Sequence, residues 1–210
     1  MGCGYTKDHP KNADLIKLKK KYEADGIKSA NLLHIWVVGA SKTKSLQLAE
    51  KISTHQNYLL LTEDILLQKE LAAESERASI VKEILDDKGV ICPGIILDLV
   101  VECILERLDE IKGVVYHGIP RDREQALHLQ RLVGPVSLVI YCELKGESLR
   151  AAMTEEGEEP FIIRHKVNQF EKSVLQISKH KTTMTVDGEK DANDLINECL
   201  EMIEKIATDA

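Results

Sequence analysis

Short apolar runs alternate along the chain with longer stretches in which apolar residues recur every three or four positions. The runs fall at Leu32–Val38, Tyr58–Leu61, Gly113–Tyr116, Ser137–Cys142 and Thr182–Val186. Near-continuous hydrophobicity, as in Leu32–Val38, fits a strand covered on both faces, the situation in a parallel sheet. The periodic stretches lie near 45–55, 63–87, 94–111, 122–133, 147–155, 163–179 and 190–207 and predict amphipathic helices. A helix from about Asn12 to Ala24, with its lysines solvated, is one reading of the stretch before them. Alternating strands and helices predict an α/β fold, with parallel strands joined by crossover helices that cover both faces. Ligands bind such sheets beyond the carboxyl ends of the strands, so chemistry is to be sought in the loops after Val38, Leu61, Tyr116 and Cys142.

The chain has 210 residues, 43% apolar and 30% charged, which is enough for one globular domain with a sizeable core. Asp98 and Glu102 interrupt the longest apolar stretch, around Ile95-Ile96-Leu97, so no run reaches the roughly 18 to 20 apolar residues of a membrane span. Cys3, Cys92, Cys103, Cys142 and Cys199 are scattered, without a C-x-x-C pair or a secretory leader. They imply core thiols in a reducing, cytoplasmic setting, with neither a disulfide framework nor a metal site. The net charge of −7 is unevenly placed, since residues 1–21 carry a net +4 and the remainder a net −11. An acidic body with 4% aromatic residues lacks the basic face and stacking platforms of a nucleic-acid binder. A monomer is expected, and no protein partner is identified by the sequence.

The basic excess belongs to residues 1–30, read as an amino-terminal extension ahead of a domain over 31–210. The chain opens Met1-Gly2-Cys3-Gly4-Tyr5-Thr6, which fits the M-G-x-x-x-[ST] pattern for myristoylation of Gly2, with Cys3 placed for a second acyl chain. One myristoyl chain binds membranes only marginally, and Lys17, Lys19, Lys20 and Lys21 would supply the electrostatic second signal. Peripheral association with a membrane surface is therefore expected. The plainer alternative is a frayed terminus followed by the solvated face of a helix.

The turn after the first run reads Val38-Gly39-Ala40-Ser41-Lys42-Thr43-Lys44-Ser45, where a phosphate-binding loop would join strand to helix. The pattern G-x-x-x-x-G-K-[ST] uses glycines because backbone N–H groups must wrap a phosphate. Val38 and Thr43 hold the two glycine places, leaving Gly39, Lys44 and Ser45 as loop-like residues. A phosphate cradle and a plain basic turn both remain open.

Further motifs follow in order. Thr62-Glu63-Asp64-Ile65-Leu66 resembles T-G-D-L-L, Lys88-Gly89-Val90-Ile91-Cys92-Pro93 with Leu97-Asp98-Leu99 resembles K-G-x-x-V-P and L-D, and Gly118-Ile119-Pro120-Arg121 with Gln125 resembles D-G-Y-P-R-x-x-x-Q. Over about residues 32–207 the chain resembles the short adenylate kinases, which are P-loop nucleoside monophosphate kinases. The resemblance implies a five-stranded parallel sheet flanked by helices, a monophosphate-binding part near 60–90 and a short, degenerate lid near 153–165. It also implies adenine nucleotides as ligands, with magnesium accompanying ATP in an active enzyme. By the resemblance, Lys44 contacts phosphates, Thr62 and Arg121 contact the monophosphate, Gln125 reads the adenine edge, and Gly39, Ser45 and Gly118 belong to the nucleotide-binding loops.

Against that pattern Leu67 replaces an arginine, His117 an aspartate and Leu46 a threonine. In the lid, Ala152 and Glu156 hold arginine places, Lys166 holds another, G-R-V-D-D is absent, and Arg150 and Arg164 lie off register. His117 reads as a structural histidine, and Asp98, Glu102 and Glu106 as the polar face of a helix. One arginine aimed at a transferring phosphoryl group is worth about 10³–10⁵ in rate. The expectation is a membrane-tethered, catalytically impaired member of the fold that serves as a nucleotide-binding or purely interacting module. An active kinase catalysing ATP + AMP = 2 ADP, with Lys44 on the phosphates, and an unrelated α/β binding protein are the alternatives.

Overall fold

The computed structural model describes residues 9–19, 22, 24–40, 42–154, 159–177 and 182–209. The strands are β1 (Leu33–Gly39), β2 (Leu59–Thr62), β3 (Gly113–His117), β4 (Leu138–Glu143) and β5 (Thr183–Asp187). They form one sheet in the order β2-β3-β1-β4-β5, and every pairing is parallel. The chain runs out from β1 to β2 on one side, returns through β3, then crosses to β4 and β5. The winding thus reverses beside β1, which opens a crevice at the carboxyl ends. Those ends are level, since Val37 and Thr62 both pair with His117, and Gly39 pairs with Cys142.

The helices are α1 (Asn12–Lys17), α2 (Asp25–Ser29), α3 (Lys42–Gln56), α4 (Glu63–Ala72), α5 (Glu76–Asp86), α6 (Pro93–Glu106), α7 (Arg123–Val133), α8 (Gly146–Met153), α9 (Pro160–Ile177) and α10 (Ala192–Asp209). Strand side chains alternate between faces, which makes two cores. Trp36, Val114, Tyr116 and Val139 pack with Ile84 of α5, Ile95 and Val100 of α6 and Leu129 of α7. Ile35, Val37, Val115 and Ile140 pack with Leu48 and Ile52 of α3 and Cys199 and Ile203 of α10. Each fully buried Leu or Ile contributes about 1.5–3 kcal/mol, so burial on both faces holds the crevice rigid. Cys103, Cys142 and Cys199 are buried free thiols, and desolvation pushes the last two up to about 12, so they pack as neutral core groups. Among the described residues no helix is long and apolar enough to cross a membrane.

Two expectations change. The stretch 63–87 is two helices, broken where Glu74 turns left-handed at φ 49 and the Ser75 side chain accepts from the Ala78 N–H to start α5. Of the helix that the plainer reading puts over Asn12–Ala24, α1 covers Asn12–Lys17, the described residues Leu18, Lys19, Tyr22 and Ala24 are not helical, and α2 begins beyond the span at Asp25. Long-range contacts break that helix. The Asn12 carboxamide donates to the Val90 carbonyl at 2.9 Å and accepts from Cys92 N–H at 3.0 Å, Lys19 pairs with Asp98 at 3.3 Å, and the Tyr22 hydroxyl donates to Glu102. Leu15 is fully buried beneath this strap.

The same contacts cover most of the polar face of α6. Asp98 is 4% exposed, and burial raises its carboxyl pKa against the opposing pull of Lys19. Glu102 receives both Arg77 nitrogens, at 2.6 and 2.8 Å, while Arg77 also reaches Glu70 of α4. Only Glu106, paired with Lys69, lies at the surface.

Candidate functional site

The site is built where the carboxyl ends of β1, β2, β3 and β4 meet the helices that follow them. On its β1 side, a Cβ on Gly39 would lie 3.0 Å from the Cys142 Cβ and 3.1 Å from the Ser45 Cβ, so glycine lets the start of α3 settle against β4. Ser45 is 1% exposed, and its hydroxyl lies 2.9 Å from Nε2 of His117 at the end of β3. Gly39, Ser45, His117 and Cys142 therefore form one packed floor. Lys44, the next residue out, donates to the backbone carbonyl of Glu189, beyond β5. Ser41 lies outside the described residues.

On the β2 and β3 side, Thr62 ends its strand in an extended conformation, and its side chain accepts from the Ile65 N–H at 3.1 Å, which starts α4. Gly118 has φ +73, a value costly for any residue with a Cβ, and turns the chain from β3 into the Ile119-Pro120 bend, whose peptide bond is cis. Asp122 then caps α7 by accepting from the Gln125 N–H at 2.8 Å. The Gln125 side chain, 7% exposed, folds back to accept from the Arg121 N–H at 2.6 Å. That bond fixes the Arg121 backbone, and its guanidinium donates to the carboxylate of Glu63 on the first turn of α4. Leu67, one turn further along α4, is buried in the main core.

Two groups of expected residues thus come together separately: Gly39 with Ser45 and His117, and Thr62 with Arg121 and Gln125 across the β2–β3 ends. Lys44 reaches instead toward the loop after β5. In the lid region Arg150 and Ala152 are exposed on α8, and Arg164 is exposed on α9 beside half-buried Lys166. Glu156, with the rest of 155–158, lies outside the described residues, as do Gly2, Cys3, Lys20 and Lys21.

A hydrated divalent cation beside a triphosphate asks for carboxylate oxygens. The end of β3 offers an imidazole already bound to a hydroxyl, and α3 offers aliphatic Leu46, so these residues do not fit such an ion. Among the described residues no group of three or more His, Cys, Asp or Glu side chains is placed to hold a metal. A cavity of about 360 Å³ lies away from this crevice, between α4, α5 and α6 over Glu70, Arg77 and Glu102.

The residue missed by sequence reasoning is Glu63. Its signal was present, because it stands in the glycine place of the T-G-D-L-L segment, one helical turn before Leu67.

No family model matches the chain. It is 29% identical to adenylate kinase isoenzyme 1 of Cyprinus carpio over 136 residues, 64% of this chain and 69% of that protein. It is 21% identical to adenylate kinase 1 of Drosophila melanogaster over 200 residues, 90% of this chain and 87% of that protein. Against adenylate kinase isoenzyme 5 of Homo sapiens it is 27% identical over 115 residues, and there it spans only 20% of the relative's length.

Proposed function

Since the chain belongs to the adenylate-kinase-like family, we propose that it is a membrane-tethered, catalytically impaired member that keeps a nucleotide cradle and works by binding. The observation that carries this reading is that the cradle's charged and polar groups are engaged within the protein. Lys44 is held by the Glu189 carbonyl, Ser45 by His117, and Arg121 by Glu63. Phosphoryl transfer depends on positioned positive charge that stabilises the transition state. Leu67 and Ala152 supply none, and Arg150 on α8 and Arg164 on α9 are exposed. Magnesium bound with ATP would neutralise phosphate charge, but no residue of the floor is suited to hold it.

What the chain's own residues retain is binding geometry. Gln125 orients Arg121 through the backbone, Thr62 fixes the start of α4, and Gly118 aims the bend that presents both. These three features also favour the second reading, an active nucleoside monophosphate kinase converting ATP and AMP to two ADP, as the names of the relatives would have it. Tethering at the cytoplasmic face of a membrane is supported by the Gly2 and Cys3 pattern together with the lysine cluster.

Calorimetric titration of the full chain with ATP and with AMP tests the reading. Binding of ATP at micromolar to millimolar concentration, weakened about tenfold or more in Lys44→Ala by loss of a charge-assisted contact, is the expected result. Absence of binding by both nucleotides would refute the retained cradle.

A further inference from the structure

The guanidinium of Arg121 is held out at the mouth of the crevice, with its side chain 58% exposed, while the Glu63 side chain that faces it is only 19% exposed. The arrangement is fixed from both ends. Arg121 is anchored through the Gln125 oxygen at 2.6 Å, in a loop locked by the Asp122 cap on α7. Glu63 begins α4, whose start is set by the Thr62 cap at 3.1 Å, so its carboxylate projects from a defined helical turn. One turn on, Leu67 is buried, so the next turn of that face of α4 adds no charge beside Glu63. A carboxylate and a phosphate present a guanidinium with the same kind of acceptor, a delocalised anion able to take charge-assisted hydrogen bonds.

We infer that Glu63 is a built-in occupant of the Arg121 anion site, a tethered carboxylate standing where a phosphate monoester of a nucleoside would bind. The inference rests on the proposal that the crevice binds nucleotides, and it states what regulates that binding. The site accepts a phosphate monoester only in the fraction of molecules whose Glu63 has rotated away. Because apparent affinity falls by the competent fraction, a pair formed about nine tenths of the time weakens monoester binding about tenfold. The residue also sets specificity. A dianionic monoester has the charge to displace a carboxylate, whereas a neutral nucleoside has nothing to offer the guanidinium and is indifferent to Glu63.

The test is a calorimetric titration of the full chain with AMP, inorganic phosphate, adenosine and ATP. The wild type is compared with Glu63→Gln, Arg121→Ala and the double variant. Glu63→Gln is nearly isosteric at a half-buried first-turn position, and Glu63→Ser, a good residue for a helix start, serves as a second variant if the glutamine form is unstable. The expected result is AMP and phosphate binding about tenfold tighter in Glu63→Gln, a gain that disappears when Arg121→Ala is added, with adenosine unchanged. AMP affinity within about twofold between wild type and both Glu63 variants would overturn the inference. So would a gain that survives the loss of Arg121, or failure of every variant to bind AMP and phosphate. In each of those cases the nucleotide-binding reading is judged separately, by ATP binding and its dependence on Lys44.

Discussion

His34, at the amino end of β1, gives the fold a pH dependence with a computable size. It is 2% exposed, its Nδ1 lies 2.9 Å from the Tyr116 hydroxyl, and a hydrogen bond to the Val133 backbone occupies the ring as well. Desolvation dominates and lowers its pKa from 6.5 to about 4. Between those two values the unfolded chain binds a proton that the folded chain refuses, so stability rises with pH and is lost as pH falls from 6.5 toward 4. One pKa unit corresponds to about 1.4 kcal/mol, which makes the full loss about 3 kcal/mol and the loss at pH 5, relative to pH 8, about 2 kcal/mol. The single tryptophan, Trp36, lies in the same strand at 2% exposure, so its fluorescence follows urea unfolding of this core directly. With a slope of about 2 kcal/mol per molar urea, the midpoint should fall by about 1 M more in the wild type than in His34→Gln on moving from pH 8 to pH 5. Subtracting the variant removes the surface carboxylates common to both. Parallel pH profiles for the two proteins would show that His34 is not held neutral by burial, and the reasoning would fail.

Three further outcomes follow from the packing and the leader. Arg77→Ala should cost about 3–5 kcal/mol in urea unfolding, because it removes the guanidinium that pairs with both Glu70, whose side chain is 4% exposed, and Glu102, at 16%. Leu15→Ala should cost about 2–5 kcal/mol by the same assay, as expected for truncation of a fully buried leucine. A loss under 0.5 kcal/mol would mean that the strap carries no weight in the fold. Protein from a eukaryotic host should carry an added C14 acyl group by intact mass and sediment with anionic vesicles, and Gly2→Ala should abolish both.

What could be read from the sequence was whatever depends on local burial. The run Leu32–Val38 became β1 almost residue for residue, since a strand covered on both faces must be apolar throughout. Arg121 and Gln125 were legible because their relation lies within one turn and a helix start, set by Asp122 four residues away or closer. Illegible were contacts between residues far apart in the chain. Nothing local tells Lys19 that Asp98 will be buried beneath it, or tells Tyr22 to find Glu102, and those contacts replace a continuous helix by a strap. The break at Glu74 hid for a related reason: Ala72, Ala73 and Glu76 favour helix, and only the Ser75 cap marks the restart. Glu63 was visible as a departure from a motif, but its effect depends on an arginine 58 residues away that only the fold brings within reach.

The account stands or falls on turnover. A coupled assay of the full chain with magnesium, ATP and AMP, following ADP at saturating nucleotide, is the direct measurement. An ordinary enzyme turns over at about 10 s⁻¹, and loss of the arginine set costs at least about 10³-fold, so the account predicts no more than about 0.01 s⁻¹. Turnover of about 1 s⁻¹ or more, sensitive to Lys44→Ala and Arg121→Ala, would contradict it and establish the chain as a working kinase.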